Sequence, residues 1–234
     1  MGRTHPRWYP LFICKKPAGQ PGNKHSLTGL SNLDRGSAAL PLVGPLVLDV
    51  ANGQALQVGE ASVDRVTRLL QLSDVPELTA LCSENREFLA PWEPLRDKDF
   101  HTETKQRALA EAALEAHAAG TRVPLLILNQ GGQLAGFLNI NGIVRGSLQS
   151  ASLGYWVSRT ENGAGLATAA VADAVEHARN SLGLHRLQAE ALLHNAGSQR
   201  VLAKNGFTRF GMAPKYLKIA GRWQDHELFQ KILD

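Results

Sequence analysis

Two glycines, at positions 163 and 165, stand directly before an alanine-rich stretch that is expected to form a helix. Glycine adopts positive φ readily, and its missing Cβ lets a ligand approach the backbone. A helix that begins near Leu166 has first-turn amides without internal acceptors and a dipole that places positive potential there. The stretch therefore predicts a phosphate-binding loop, or else only a tight turn before a helix. Position 168 is threonine, so the Rossmann fingerprint is absent, and no Walker Gly-Lys-Ser/Thr follows.

Three further segments carry residue types that could bind a ligand or move a proton. Residues 153–158, Leu-Gly-Tyr-Trp-Val-Ser, read as a strand that runs into the glycine turn. A second helix start follows at Asn195, an N-cap residue type, with Ser198 in its first turn. Upstream, residues 88–94 (Phe-Leu-Ala-Pro-Trp-Glu-Pro) form a stiff loop because proline fixes φ. In this order, the segments are specific enough to compare with known enzyme families.

The set resembles the GNAT acetyltransferase superfamily, whose acetyl-CoA signature, Gln/Arg-x-x-Gly-x-Gly/Ala, falls on Asn162, Gly165 and Ala167. Asn162 replaces the Gln or Arg of the family, which removes one long side chain from the diphosphate but leaves the backbone amides. Residues 85–94 and 219–226 are similar to segments of the RimJ/RimL-type ribosomal-protein alanine N-acetyltransferases. The resemblance spans about residues 60–234. It implies the GNAT fold, an α/β protein whose central mixed sheet splays apart between flanking helices.

The resemblance also implies that acetyl-CoA binds as co-substrate, with an unpaired amide of the splayed strand near the thioester oxygen. Asn195 would anchor the pantetheine amide, unless it serves only as an N-cap. The aromatic residues of the strand would otherwise be ordinary packing. The residues assigned to acetyl-CoA are Tyr155, Trp156, Val157, Asn162, Gly163, Ala164, Gly165, Leu166, Ala167, Thr168 and Asn195.

Proton transfer and acceptor binding fall to a second group of residues. A protein α-amine, with a pKa of about 7.7–8.0, is already partly neutral, whereas a lysine at about 10.4 needs far more help. Glu93 is the candidate general base, or a ligand of the acceptor's ammonium or a cap, and Trp92 accompanies it in the predicted acceptor site. Ser198 matches the serine with which RimL-type relatives protonate the leaving thiolate, with Tyr216 as its rival; Ser198 could also only bond its own backbone. Lys215 replaces the acidic neighbour of that tyrosine, so that base is not carried over.

The sequence thus predicts transfer of acetyl from acetyl-CoA to the N-terminal α-amine of a protein, with a ribosomal protein's N-terminal alanine as acceptor. One alternative is a small amine, such as a polyamine or aminoglycoside, although the loop at residues 87–99 mixes acidic and basic side chains. The other is a noncatalytic acyl-CoA-binding or ribosome-associated factor. No metal is expected, because the histidines lack ligand spacing. We expect a monomer or homodimer.

The chain has 234 residues, 44% hydrophobic and 20% charged, which is an ordinary globular composition. No apolar run nears the roughly 20 residues of a membrane-spanning helix. Since Cys14 and Cys82 also lack disulfide or metal spacing, we expect a cytoplasmic protein that does not engage a membrane. Residues 1–57 hold six basic and two acidic side chains, and so carry the whole net charge of +4. They form a predicted basic, Pro/Gly-rich and partly disordered extension, either a tail or a weak RNA contact, ahead of a GNAT domain at 58–234.

Hydrophobic periodicity predicts the elements that position these residues. Strands are predicted at residues 65–70, 124–128, 134–140, 150–157, 186–192, 207–210, 215–219 and 227–232. Helices are predicted at residues 74–82, 102–119, 166–182 and 196–204, the last stopped by Gly206. A proline-broken apolar run at residues 38–48 is at best an edge strand. This order of elements builds a mixed α/β layer.

Overall fold

The apolar runs between residues 122 and 157 form three successive antiparallel strands in the computed structural model, which describes residues 65–234. The first of them is buried along almost its whole length, as expected for a strand covered on both faces. Among residues 65–234, one mixed sheet contains seven strands. They are β1 (Thr67–Leu69), β2 (Arg122–Leu128), β3 (Leu134–Val144), β4 (Ser150–Val157), β5 (Arg186–Leu192), β6 (Thr208–Ile219) and β7 (Arg222–Ile232).

Helices flank the sheet on both faces. The helix α3 (Glu103–Ala118) begins where the Thr102 hydroxyl accepts a hydrogen bond from the Lys105 amide. Gly206, with φ of 75°, ends the last helix as the sequence predicted. The helices are α1 (Val75–Glu84), α2 (Arg86–Leu89), α3 (Glu103–Ala118), α4 (Leu166–Glu176, continued by a π-turn over His177–Ser181) and α5 (Ala196–Lys204).

The sheet opens at its centre. The strand order is β1-β2-β3-β4-β5-β7-β6, and β4 and β5 are parallel neighbours. They pair only between Ser150–Ser152 and Arg186–Gln188, so the last five residues of β4 have no partner on β5. We call this opening the strand gap; residues 153–157 and 189–192 border it. The mixed sheet, its flanking helices and this gap confirm the predicted fold class.

Among the described residues, the buried apolar side chains form two clusters, one on each face of the sheet, and these show which face each strand residue belongs to. The larger cluster packs against α4 and takes alternate residues from the central strands, namely Leu138, Ile140, Leu153, Val157, Leu187, Ala189 and Ala191. The smaller cluster joins the sheet to α1 and α3. Because successive side chains of a strand point to opposite faces, Asn139, Gly154 and Glu190 belong to the α1/α3 face.

The closing strands differ from the prediction. The strands expected at residues 207–210 and 215–219 are one strand, β6, whose register with β7 shifts between Ala213 and Leu217. Pro214 and Lys215, with φ of 45°, form this irregularity. The β7 strand also begins earlier than predicted, because the ladder resumes beyond the shift and continues to the hairpin turn.

Some predictions lie outside the described residues. These are the basic extension at 1–57 with its RNA contact, the edge strand at 38–48 and the domain start at 58. Between residues 65 and 234, no helix has the length and apolar character needed to cross a bilayer.

Candidate active site

The glycine turn ahead of α4 presents a run of backbone amides. Gly163 and Gly165 both have φ of 88°, and Gly165 is the N-cap of α4. The Thr168 and Ala169 amides donate to the Gly165 carbonyl, whereas the amides of residues 163–167 find no acceptor among the described residues. A Cβ on either glycine would meet no atom within 4 Å, so the space before the turn is open. Free amides at the positive end of a helix form an anion site.

At the strand gap, two further backbone amides, both on β4, lack an acceptor from the neighbouring strand. The Ser158 amide donates to the Ala135 carbonyl of β3 at 2.7 Å. Since amide direction alternates along an antiparallel pair, Trp156 also bonds towards β3, and the Tyr155 and Val157 amides point towards β5. The β5 strand has left the ladder by then, so both amides face the gap. Donors held in this way stabilise an oxyanion as it forms.

A pair of hydroxyls lies on the face of the sheet that α4 and α5 cover, which we call the α4/α5 face. The Tyr155 hydroxyl is 3.0 Å from the Ser198 Oγ and donates to the Ser198 carbonyl at 3.3 Å. The Ser198 amide donates to the Asn195 side chain at 3.0 Å, which caps α5. Burial raises the pKa of Tyr155, opposed by its bond to Ser198, so the phenol stays neutral. Asn195 is thus an N-cap, and the Ser198 hydroxyl engages Tyr155.

Tyr216, the rival of Ser198, lies on the irregular part of β6. Its ring contacts the ring of His226 edge to face, with centroids 5.7 Å apart. The Trp92 ring contacts the ring of His194 in a tilted arrangement, with centroids 5.4 Å apart. His194 directly precedes Asn195 in the chain. The structure therefore brings Trp92 to the start of α5, whereas the Tyr216 side chain packs on His226 within the β6–β7 hairpin.

Glu93 is held by an ion pair. It is 6% exposed, and its Oε2 accepts from the Arg96 Nε at 2.9 Å and Nη2 at 2.7 Å. Arg96 also stacks over the Phe100 ring, 4.3 Å from its centroid. The Glu93 carbonyl accepts from the Ala220 amide, which ties this loop to the β6–β7 turn. These contacts suit a residue that shapes a wall of the site, and the base role of Glu93 stays a prediction.

Two buried polar residues near the gap were not singled out from the sequence. Asn139 of β3 is 1% exposed and Glu190 of β5 is 5% exposed. Among the described residues, neither the Asn139 carboxamide nor the Glu190 Oε2 has a hydrogen-bond partner. Burial raises the pKa of Glu190 to about 7. Asn139 lines one cavity with Glu93, Gly154 and Trp156. No sequence signal marked Glu190 as buried, because polar and apolar residues alternate along β5 as they do in a strand with one face in water.

Within residues 65–234, no group of three or more His, Cys, Asp or Glu side chains is placed to hold a metal ion. Two further titratable side chains, His101 and Cys82, line the wall of the cavity that contains Asn139 and Glu93. Burial raises the pKa of the Cys82 thiol to about 12, so it stays protonated at neutral pH.

Comparisons with known proteins agree with this geometry. The family model described as an acetyltransferase (GNAT) domain matches residues 66–208. A probable N-acetyltransferase, YjcK of Bacillus subtilis, is 36% identical over 69% of this chain and 90% of its own length. The ribosomal protein uS5-alanine N-acetyltransferase of Escherichia coli is 33% identical over 70% of this chain and 84% of its own length.

A solved structure extends the likeness to three dimensions. Mycobacterium smegmatis RimJ, in complex with a CoA disulfide, superimposes with a TM-score of 0.68 at 31% identity, covering 71% of this chain and 80% of RimJ. The matched family model covers more than half of the chain and includes the glycine turn, the strand gap and α5. The chain therefore belongs to the acetyltransferase (GNAT) family and is similar, within it, to enzymes that acetylate ribosomal proteins.

Proposed function

We propose that this chain transfers the acetyl group of acetyl-CoA to the N-terminal α-amine of a protein, and that the acceptor is a ribosomal protein beginning with alanine. The names of the E. coli and M. smegmatis relatives support the acceptor and the co-substrate, respectively. The observation that carries the proposal is the strand gap, because it joins the amide-lined glycine turn to the Tyr155–Ser198 pair.

Acetyl-CoA fits the groups that the described residues leave free. The amides of residues 163–167 would hold its diphosphate, and the side-chain NH₂ of Asn195 is the group that would meet its pantetheine arm. The bound co-substrate supplies an activated acetyl thioester. A nucleotide held only through ribose or base would not need the run of unpaired amides.

The chain's own groups can then lower the barrier to acyl transfer. The Tyr155 and Val157 amides would stabilise negative charge on the carbonyl oxygen. The Ser198 hydroxyl would give its proton to the departing thiolate, and the neutral Tyr155 phenol would stabilise the Ser198 oxygen through their 3.0 Å contact. In this proposal the hydrogen-bonded hydroxyls of Ser198 and Tyr155 act together to protonate the departing thiolate.

An α-amine suits this site better than a lysine side chain. The pKa of a lysine lies about 2.5 units above that of an α-amine, so a lysine is a few hundredfold less populated as the neutral nucleophile at pH 7. The cavity on the α1/α3 face contains the Glu93–Arg96 pair, in which charge is balanced. A polyamine site would instead need unpaired acidic groups for several cations.

A peptide panel tests the proposal. Purified protein is given acetyl-CoA and peptides that begin with alanine, serine or methionine, and thiol release is followed while mass spectrometry locates the acetyl group. The matched control is the alanine peptide with a formylated N-terminus and one internal lysine. We expect modification of the free α-amine only, fastest for alanine. Turnover with spermidine or kanamycin alone would assign a small-amine enzyme, and CoA binding without any turnover a noncatalytic factor.

A further inference from the structure

The α1/α3 face of the strand gap carries buried polar groups that the transfer chemistry above does not use. An unpaired polar atom inside a protein lowers the stability of the fold. Asn139 leaves two such atoms and Glu190 a third, all among the described residues and all on one face. Clusters of this kind in a native protein call for an explanation, such as a bound water, a ligand or a catalytic task.

The strand register places the two residues on opposite sides of the gap. Asn139 pairs with Gly154 of β4. The last parallel pair joins Ser152 to Gln188, so Gly154 and Glu190 each stand two residues beyond it, at the same level. Gly154 has no side chain between them. Asn139 and Gly154 line one cavity on the α1/α3 face, and Glu190 follows them in the same row across the gap, next to the amide of Tyr155.

We propose that Glu190 and Asn139 form the acceptor-amine site, in which Glu190 takes a proton from the incoming α-ammonium and Asn139 hydrogen-bonds the first peptide group. This inference rests on the proposed acetyl transfer and names the part of the acceptor that the site recognises. A carboxamide offers both a donor and an acceptor, as does a peptide group, whereas a simple amine has nothing to pair with it.

The proton and bond changes balance without any further reactant. The Glu190 carboxylate takes one proton from the ammonium, which leaves a neutral amine. The amine nitrogen bonds to the thioester carbonyl carbon, the C–S bond breaks, and the thiolate takes the Ser198 proton. The new amide nitrogen loses a second proton, which restores Ser198 through solvent or Tyr155, and Glu190 returns its proton to solvent. The net products are an acetylated N-terminus, a thiol and one proton.

Glu190 suits the base role better than Glu93. Two hydrogen bonds from the Arg96 guanidinium hold one oxygen of Glu93, so this carboxylate already neutralises a cation. Glu190 has no cation partner among the described residues, and burial brings its pKa close to that of an α-amine. A base with a pKa near the working pH transfers protons most effectively.

Other charged groups on this face lie on the loop after α2, on β7 and at the far end of β5. His226 belongs to the row beyond Glu190, since it pairs with Leu192. The side chain of Arg186 donates to Gln230, away from the gap. The pKa of Glu190 responds to burial and to its own backbone amide rather than to these groups. The charged and titratable groups concerned are Glu93, Arg96, His101, Arg186 and His226.

The experiment measures kcat/KM against pH for wild type and Glu190→Gln with the best peptide of the panel. We expect a loss of about 100-fold at pH 7, the usual scale of general base catalysis. The loss should shrink about tenfold by pH 9.5, because the neutral fraction of a free α-amine rises by that factor. The matched control is Glu111→Gln, an exposed carboxylate on α3, which should follow wild type throughout.

Asn139→Leu separates the two residues. It should lower kcat/KM for the peptide at least tenfold, and by a larger factor than it lowers the rate with isopropylamine, which has no peptide group. For both variants, calorimetry should return the wild-type affinity for acetyl-CoA, which shows that the fold is intact. If wild type accepts only small amines, the proposed function fails, and Glu190→Gln is then measured on that amine.

A second readout does not require turnover. The alanine peptide is titrated onto protein saturated with CoA, and its affinity should fall at least tenfold in each variant. The inference is overturned if Glu190→Gln stays within threefold of wild type at pH 7. It is also overturned if the loss is independent of pH, or if both variants bind the peptide like wild type.

Discussion

Replacing Gly165 by aspartate, and separately by asparagine, tests whether the glycine turn binds the diphosphate of CoA. Gly165 has φ of 88°, and a Cβ there would meet no atom within 4 Å. Asparagine and aspartate adopt left-handed backbone more easily than other side chains, and they have the same shape. Both variants therefore add equal bulk and nearly equal strain, and they differ in one negative charge.

The size of the charge effect follows from Coulomb's law. Two unit charges about 4 Å apart interact by about 1 kcal/mol in water and about 4 kcal/mol at the dielectric of a protein surface. The turn lies at the surface, so we take about 2–3 kcal/mol against the diphosphate, which is roughly 30- to 150-fold in Kd. Gly165→Asp should bind CoA that much more weakly than Gly165→Asn.

Calorimetric titration with CoA at low and high salt measures this difference, which should shrink as salt screens the charges. Gly183→Asp is the matched control, since Gly183 also has positive φ, at 57°, with no atom within 4 Å of a Cβ, but lies between α4 and β5. It should lower the unfolding temperature and leave Kd unchanged. Equal Kd values for the Asp and Asn variants at position 165 would refute an anion site in the turn.

Further outcomes follow from the same geometry. Ser198→Ala should lower kcat at least tenfold, or about 1.4 kcal/mol, without changing CoA affinity; an unaltered kcat would move the proton to Tyr216. Tyr155→Phe should lower kcat in the same direction, and the Ser198–Tyr155 double variant should lose less than the sum of the two. Asn139→Leu should raise the unfolding temperature while activity falls, because two unpaired buried atoms are removed, and calorimetric melting measures this. Glu190→Gln should stabilise the fold above pH 7 and not near pH 4 in pH-dependent denaturant titrations, since a pKa raised on folding costs stability as pH rises.

Local patterns were enough to predict the glycine turn and the central strands. Gly163 and Gly165 adopt the positive φ that their spacing before an alanine-rich helix indicated. The strands β4 and β5 have the bounds that the hydrophobic pattern predicted for them. In these segments the favoured local conformation and the buried face agree, so sequence alone determines the result.

The closing strands and the buried acid depended on tertiary contacts. Proline and a positive φ interrupt β6, but β7 pairs on both sides of the interruption and keeps one strand. Glu190 alternates with buried alanines, a pattern that is typical of a side chain facing water, and only the elements over the α1/α3 face make it buried. The Tyr155–Ser198 contact joins residues 43 apart in sequence, which no local pattern encodes.

The proposed acid, Ser198, and the proposed base, Glu190, lie on opposite faces of the sheet, which has a chemical consequence. Acetyl transfer needs a proton donor for the thiolate and a proton acceptor for the amine at the same moment. If both groups shared one face, the carboxylate and the hydroxyl would hydrogen-bond to each other and the proton could pass directly between them. The Ser198–Tyr155 pair lies on the α4/α5 face and Glu190 on the α1/α3 face, with the strand gap between. In the proposed mechanism, only a reacting amine and thioester that meet in the gap would connect the two groups, so proton transfer would be coupled to formation of the ternary complex.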